Sequence, residues 1–164
     1  MTRRQLLSAL AAFGLARSAA AAEPARADAV QLSDGEWRKR LTAAQYDVLR
    51  HEGTEPPFSS PLDREKRRGL YRCAGCDLAL FTSEMKFDSG TGWPSFTTTL
   101  PDAIATRTDY KLLFPRTEYH CARCGGHQGH VFNDGPKPTG KRYCNNGVAL
   151  KFVPRADKLP ELRA

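Results

Sequence analysis

The sequence lacks any hydrophobic run long enough to hold the protein in a membrane. Its longest apolar stretch, from Leu6 to Leu15, is interrupted by Ser8 and Gly14, and a membrane-spanning helix needs about 20 predominantly apolar residues. We therefore expect no stable membrane anchor. The chain of 164 residues has room for one compact domain, and its 40% hydrophobic and 26% charged residues are ordinary for a globular protein.

A basic stripe interleaved with aromatic residues, which is typical of nucleic-acid-binding proteins, is also absent. The formal net charge is +7, but part of it belongs to the first 27 residues. The rest of the chain carries 21 basic and 17 acidic residues, which is a net charge of +4. Since these lysines and arginines are scattered, we expect no nucleic-acid partner.

Residues 1–27 have the three parts of an export signal: a basic start, a short apolar run and a stretch of small residues. The pair Arg3 and Arg4 resembles the twin-arginine export motif, although that motif prefers Phe where this chain has Leu6. We expect export to a bacterial periplasm by this route. The alternative interpretation is a disordered basic arm or a frayed amphipathic helix.

The expected cleavage of this signal defines the mature domain. Small residues place the candidate cleavage points after Ala22 and after Ala27. We take the later point as the boundary, so that residues 28–164 form the functional domain, and we expect this domain to be a monomer.

Two capping-box patterns predict short helices near the start of the mature domain. Ser33 with Glu36, and Thr42 with Gln45, place a hydroxyl three residues before a side chain that can bond back to the backbone. The expected helices cover residues 34–40 and 43–51.

Helical periodicity is missing from Gly69 onward. The preceding segment, GTEPPFSSPL, contains three prolines and is expected to run extended over the surface. Beyond Gly69, short apolar runs separated by Gly, Pro, Asn and Asp predict many short strands, namely GLYRC, LALF, MKFD, AIATRTDY, KLLF, TEYHC, HVF and GVALKF. The predicted fold is mainly β, a small antiparallel two-sheet or barrel-like domain with short N-terminal helices.

Four of the five cysteines form two CxxC turns, Cys73 with Cys76 and Cys121 with Cys124. Four thiolates in two such turns can bind one structural Zn²⁺ ion tetrahedrally, and the wide gap between the turns indicates a clamp across the domain. Two structural disulfides, or a redox-active CxxC, are the alternatives. The absence of a βαβ pattern around either turn counts against the redox interpretation.

The fifth cysteine, Cys144 in GKRYCNNGVALKF, has no such partner. On a strand, Arg142 and Asn146 would share its face, where a guanidinium favours the thiolate and an amide can orient the sulfur or a substrate. A lone cysteine is just as often a small buried apolar residue.

Proton-transfer groups and a tryptophan supplement this cysteine. His127, His130 and Asp134 in CARCGGHQGHVFNDGP can donate and accept protons near neutral pH. The histidines could instead be metal ligands, and Asp134 a turn residue. Trp93, in FDSGTGWPSF, is either a core residue or the wall of an apolar pocket.

Taken together, these motifs closely resemble the type B methionine sulfoxide reductases, which reduce the R diastereomer of methionine sulfoxide. The resemblance extends from Trp37 to Phe152 and is carried by LTAAQYDVLRHEGTEPPF, YRCAGC, KFDSGTGWPSF, CARCGGHQGHVFNDGP and RYCNNGVALKF. It implies two antiparallel sheets with peripheral helices. It also implies that the substrate is oxidised methionine, preferably in a peptide or protein.

The resemblance assigns a role to each candidate residue. Cys144 would attack the sulfoxide sulfur and become a sulfenic acid, Arg142 would support its thiolate, and Trp93 would hold the ε-methyl group of the substrate. The sulfoxide oxygen would be bound and protonated by His127, His130, Asp134 and Asn146. One structural Zn²⁺ per chain would be bound by Cys73, Cys76, Cys121 and Cys124.

The sequence departs from the family pattern at three positions. Many members carry a second, resolving cysteine in the glycine-rich turn, where this chain has Thr91. We therefore expect the sulfenic acid to be reduced directly by a thioredoxin-like protein or another external thiol. Asn145 and Gly147 stand where the family more often has an apolar residue and a serine, so substrate preference could differ.

Two other classes of function are compatible with parts of the pattern. A Cys-His-Asn hydrolase built from Cys144, His130 and Asn146 would form an acyl-enzyme and need no reductant. A non-catalytic zinc-ribbon binding module would tolerate replacement of Cys144.

Overall fold

The computed structural model describes residues 26–155, so the expected export signal lies outside the described residues except for its last two positions. Within this range, no helix is long and apolar enough to cross a membrane. The helices are α1 (Asp34–Arg40) and α2 (Ala43–His51). The strands are β1 (Gly69–Cys73), β2 (Ala79–Thr82), β3 (Lys86–Phe87), β4 (Ser95–Phe96), β5 (Ile104–Asp109), β6 (Arg116–Cys121), β7 (His127–Phe132), β8 (Arg142–Asn145) and β9 (Leu150–Pro154).

The strands form two antiparallel sheets. A three-stranded sheet has the order β2-β1-β9, and a six-stranded sheet has the order β3-β4-β8-β7-β6-β5. Every paired strand runs antiparallel to its neighbour. The mainly β two-sheet fold expected from the sequence is confirmed.

Aromatic side chains form the core between the sheets. Phe81 of the small sheet stacks on Phe96 of the large sheet with ring centroids 3.9 Å apart. Tyr71, also from the small sheet, packs edge-on against Phe96 at 5.0 Å, an arrangement that aromatic quadrupoles favour. Because all three rings are fully buried, they fix the large sheet, and the residues that it carries, against the small one.

Both predicted helices are confirmed with the expected boundaries, because both capping boxes form. The backbone amide of Ser33 donates to the Glu36 carboxylate at 2.8 Å, and the amide of Thr42 donates to the Gln45 side chain at 3.1 Å. In each helix the hydroxyl accepts the reciprocal bond. Trp37 is buried in α1, and Tyr46, Val48 and Leu49 are buried in α2.

The structure corrects three of the expected elements. The run GVALKF begins as a 3-10 helix, Gly147–Ala149, and is a strand only from Leu150. The run KLLF is an exposed loop between β5 and β6 rather than a strand, since Leu112 and Leu113 are exposed and Asp109 closes the end of β5 by accepting from the Lys111 amide at 2.8 Å. The proline-rich segment ends in a 3-10 helix, Pro61–Arg64, because Ser60 caps it and Pro61 fits the first turn.

Candidate active site and metal centre

Cys144 lies on β8, near the middle of the large sheet. In the antiparallel ladders it is opposite Ser95 of β4 on one side and His130 of β7 on the other, so paired side chains share its face. Gly129 makes this close pairing possible, because a Cβ atom there would lie 1.9 Å from the Cys144 carbonyl oxygen. The sheet thus places an imidazole directly beside the thiol.

A small cleft of about 140 Å³ opens over this pair. It is much smaller than the roughly 300–1,000 Å³ of pockets that hold drug-sized ligands, which suits a single substrate side chain. The residues that line it are Thr54, Trp93, Arg116, Gly129, His130, Phe132, Cys144, Asn145 and Asn146. The structure therefore brings together four of the expected site residues, Cys144, His130, Trp93 and Asn146.

The surroundings of Cys144 act on its pKa in opposite directions. Burial raises the pKa of the Cys144 thiol, while the Arg142 guanidinium and the hydrogen bond from the Thr91 hydroxyl lower it. Burial is the largest of these effects, so the pKa lies above that of an ordinary thiol. Cys144 is therefore mainly a protonated thiol at neutral pH, and Arg142 and Thr91 are positioned to stabilise its thiolate.

His130 is held by a carboxylate from β5, two strands away in the large sheet. Its Nε2 donates to Asp109 Oδ2 at 2.8 Å, and Arg116 donates to the same oxygen at 2.6 Å. Burial lowers the pKa of His130 against the opposing effect of Asp109, so the ring is neutral at neutral pH. The pKa of Asp109 lies below its usual range, mainly because its carboxylate accepts a hydrogen bond from the Lys111 amide. Burial acts in the opposite direction, and the side chains of His130 and Arg116 lower the pKa further.

His127 lies behind His130 rather than on the cleft wall. Its ring is buried, its Nδ1 donates to Glu118 Oε1 at 2.7 Å, and the two imidazole centroids are 5.5 Å apart. A register shift between β6 and β7 brings His127 to this side, because residues three apart on a regular strand point to opposite faces. The two histidines therefore form one connected group.

Glu118 anchors this group. Burial would raise the pKa of the Glu118 carboxyl, but the hydrogen bonds and charges of His120 and His127 outweigh that effect and hold it at about 2. A carboxylate that stays ionised while buried is able to stabilise an imidazolium if His127 takes up a proton.

Arg142 and Asp134 bind each other. Arg142 donates two hydrogen bonds to the Asp134 carboxylate, at 2.8 and 2.9 Å, and its guanidinium lies 4.3 Å from the centroid of the Phe132 ring. Asp134 is exposed and is not among the residues lining the cleft. The structure thus places Asp134 where it positions Arg142, outside the cleft lining, and its expected contact with the sulfoxide oxygen stays a prediction.

Trp93 and Asn146 are fixed through one segment that follows α2. The Trp93 indole donates to the Glu55 carbonyl at 3.0 Å, and the Glu55 amide donates to Asn146 Oδ1 at 3.0 Å. Asn146 Nδ2 donates in turn to the Gln128 carbonyl at 3.1 Å. Because both ends of the Asn146 amide bond backbone groups, this residue shapes the cleft wall.

The other four cysteines form a single buried cluster. Cys73 ends β1 of the small sheet and Cys121 ends β6 of the large sheet, while Cys76 and Cys124 lie in the turns that follow. The four sulfur atoms lie within 4.8 Å of one another. The predicted meeting of the two CxxC turns is confirmed, and the cluster lies between the two sheets.

The sulfur distances do not fit the disulfide interpretation. The Cys73 and Cys124 sulfurs are 3.7 Å apart and those of Cys76 and Cys121 are 3.5 Å apart, whereas a disulfide bond is about 2.05 Å long. Hydrogen bonding to the neighbouring thiols, followed by burial, raises the pKa of Cys73. A bound cation would allow the thiolates to coexist, so the cluster is able to hold a metal ion.

A buried hydrogen-bond chain connects this cluster to the strand of Cys144. The Tyr119 hydroxyl donates to Asn145 Oδ1 at 2.7 Å, Asn145 Nδ2 donates to Gln128 Oε1 at 3.3 Å, and Gln128 Nε2 donates to the Cys73 sulfur at 3.4 Å. Because a hydroxyl starts the chain, both amides are oriented so that an N–H group points at the sulfur.

Comparisons with known proteins agree with this geometry. The SelR domain family matches residues 41–154. A protein named peptide methionine sulfoxide reductase MsrB from Agrobacterium fabrum is 52% identical over 126 residues, covering 76% of this chain and 93% of the relative. A protein of the same name from Methanosarcina barkeri is 53% identical over 125 residues, covering 76% and 88%. The chain belongs to the SelR-domain family of peptide methionine sulfoxide reductases.

The structure shows the surroundings of two residues, Asn145 and Thr91, at which the chain departs from the pattern of this reductase family. Asn145 is fully buried, and its polar side chain is accommodated because Tyr119, Gln128 and the Asn146 carbonyl satisfy it. Thr91 lies close enough to Cys144 for a hydrogen bond between their side chains. A hydroxyl that cannot form a disulfide therefore lies beside the Cys144 sulfur.

Several residues of the reductase site were missed in the sequence. Asp109 and Glu118, which hold the two histidines, lie in the predicted strands AIATRTDY and TEYHC, which do not mark them as site residues. Arg116 and Glu55 gave no local signal.

Proposed function

We propose that this protein reduces the R diastereomer of methionine sulfoxide in peptides to methionine, with Cys144 as the nucleophile. The observation that carries the proposal is the cleft in which Cys144, His130 and Trp93 meet, in a chain of the SelR-domain family. The relatives named as peptide methionine sulfoxide reductases support the same activity.

The first half of the proposed cycle transfers oxygen to the enzyme. The Cys144 sulfur attacks the sulfoxide sulfur, the sulfoxide oxygen is protonated from the histidine side of the cleft, and the oxygen ends on Cys144. Sulfoxide and thiol are converted to methionine and a sulfenic acid, so the substrate sulfur is reduced by two electrons and the cysteine sulfur is oxidised by two. Protonation is required because the oxygen is otherwise a poor leaving group.

Shape and polarity of the cleft support selectivity for one diastereomer. The sulfoxide sulfur carries a methyl group, an oxygen, a methylene and a lone pair. We infer that the methyl group packs on Trp93 and the oxygen faces His130, while Cys144 approaches the sulfur. Fixing these three directions fixes the hand of the substrate, since the opposite diastereomer would exchange an apolar group and an oxygen between unlike walls.

The activity is tested by supplying a peptide that contains separated R and S methionine sulfoxide, with dithiothreitol as the reductant. We expect the R form to be consumed and the S form to remain, as followed by chromatography, and turnover to stop without dithiothreitol. Turnover that persists without reductant would favour a hydrolase, and no consumption of either form would favour a binding module.

The metal that we propose for the four-cysteine cluster is one structural Zn²⁺ ion. Zinc forms bonds of about 2.3 Å to thiolate sulfur in a tetrahedron, so neighbouring sulfurs should be about 3.8 Å apart. The distances of 3.5 and 3.7 Å are close to this value. Bound by Cys73, Cys76, Cys121 and Cys124, the ion would supply no redox chemistry and would hold the two sheets together.

The second half of the proposed cycle uses a thiol from outside the chain. All cysteines other than Cys144 belong to the metal cluster, and Thr91 occupies the neighbouring position. Two thiol groups of a thioredoxin-like protein or of another reductant convert the sulfenic acid to the thiol, forming one disulfide and one water molecule.

We also propose that the protein is exported to a bacterial periplasm by the twin-arginine route. The support is the sequence of residues 1–27, in which Arg3 and Arg4 precede a short apolar run. Fractionation of cells that express the full chain should place the shortened protein in the periplasm, and Lys at both arginine positions should leave it unprocessed in the cytoplasm. Unchanged export of that variant would exclude this route.

A further inference from the structure

The large hydrophobic side chains that the described residues expose are not spread over the surface. Four belong to the loop between β5 and β6, with exposed fractions of 77% for Tyr110, 57% for Leu112, 91% for Leu113 and 75% for Phe114. The fifth is Phe58, at 61%. Clusters of exposed apolar side chains mark binding surfaces more often than single ones do.

The exposed β5–β6 loop and Phe58 lie on opposite sides of Cys144. The Phe58 amide donates to the Gly92 carbonyl at 2.7 Å, which places Phe58 beside Trp93 and the β4 side of the cleft. The β5–β6 loop follows the other direction, because β7, β6 and β5 succeed β8 in the sheet order. The cleft is therefore flanked by apolar surface at both ends.

Arg116 joins the loop to the cleft. It begins β6 immediately after the loop, lines the cleft and donates to Asp109. Its Nε atom is buried and has no hydrogen-bond partner within residues 26–155. Since a buried donor without a partner costs free energy, this atom is suited to a carbonyl oxygen of a molecule that enters the cleft.

We propose that the β5–β6 loop and Phe58 bind the segments of an unfolded polypeptide on either side of its oxidised methionine. This inference rests on the proposed reductase activity and defines its substrate as an extended chain with apolar residues near the sulfoxide. Methionine is mainly a core residue, so its sequence neighbours in an unfolded protein are often apolar. A backbone carbonyl of the bound chain accepts from Arg116 where the chain leaves the cleft.

The sheet geometry sets where the apolar residue should be. Two strand spacings of about 4.8 Å separate β8 from β6, and the loop begins about two residues along the strands from Cys144. The loop is therefore roughly 10–15 Å from the reactive sulfur. An extended peptide rises about 3.3 Å per residue, so the loop is reached three to five residues away from the sulfoxide.

The test compares three peptides of R methionine sulfoxide and one small substrate. One peptide carries Leu-Phe at the third and fourth positions after the sulfoxide, one carries it at the third and fourth positions before, and one has serines there. N-acetyl methionine sulfoxide amide fills only the cleft. Each is reduced by the wild type and by the Leu113→Ser/Phe114→Ser variant, whose changes are at exposed positions.

We expect the Leu-Phe peptide whose apolar residues reach the β5–β6 loop to exceed the serine peptide about tenfold in kcat/KM, as partial burial of two apolar side chains provides. The variant should lose the preference for that peptide, keep any preference for the other Leu-Phe peptide that Phe58 provides, and keep the wild-type rate on the small substrate. Equal rates for all peptides, or a variant that keeps every preference of the wild type, would overturn the proposed surface alone. Failure to reduce the small substrate as well would overturn the reductase activity.

Discussion

Replacing Cys144 with serine is expected to lower kcat/KM for the R sulfoxide by about 10⁴-fold or more. Loss of a nucleophile that acts together with its proton donors removes most of the catalysis. A serine hydroxyl lacks both the nucleophilicity of sulfur and the ability to accept an oxygen atom. Turnover by chromatography, with unfolding and metal content measured on the same preparation, provides the comparison.

Mass spectrometry of the same two proteins distinguishes reduction by an external thiol from formation of a disulfide within the chain. Wild-type protein treated with substrate and no reductant should carry one added oxygen atom at Cys144, detected by mass spectrometry and trapped by a sulfenic-acid reagent. The Cys144→Ser protein should carry none. A disulfide from Cys144 to one of the metal-cluster cysteines, formed in every turnover, would contradict reduction by an external thiol.

Loss of the proposed zinc ion is the second change with a very large expected effect. Replacing Cys121 with serine, or removing the ion with a chelator, should leave the protein unfolded at room temperature, so that denaturant produces no cooperative unfolding transition. Structural zinc contributes about 10–16 kcal/mol to small domains, which equals or exceeds the 5–15 kcal/mol net stability of a typical protein. The effect follows from the position of Cys73 in one sheet and Cys121 in the other.

Metal content by mass spectrometry and denaturant unfolding by circular dichroism are the measurements. Cys144→Ser is the matched control, because it also removes one thiol but lies outside the metal cluster, and it should keep one zinc ion per chain and the wild-type transition. A metal-free protein that remains folded and fully active would exclude the structural role of zinc.

Local chemistry made much of this protein predictable. Both helices begin where the capping boxes of Ser33 and Thr42 place them, because a cap depends only on residues a few positions apart. The two CxxC turns predicted the four-cysteine cluster for a similar reason. Each pair is fixed by its own turn, and only the meeting of the two pairs required the fold.

The remaining features depended on contacts between distant strands. Asp109 reaches His130 from a strand two positions away in the sheet, and no sequence spacing indicates that pairing. His127 shares a side with His130 only because the ladder is irregular. The run KLLF has the composition of a strand, yet it lies outside the ladder that pairs Asp109 with Arg116; composition does not reveal register.

Thr91 beside Cys144 has a consequence for the lifespan of each enzyme molecule. In an enzyme with a resolving cysteine, the sulfenic acid is quickly converted to a disulfide, which protects the sulfur from further oxidation. In the proposed cycle this chain has no such protection, and the sulfenic acid remains one oxidation step from a sulfinic acid, which ordinary thiols do not reverse. Under oxidant stress, the supply of external thiol would therefore determine how many methionines each molecule repairs before it is permanently inactivated.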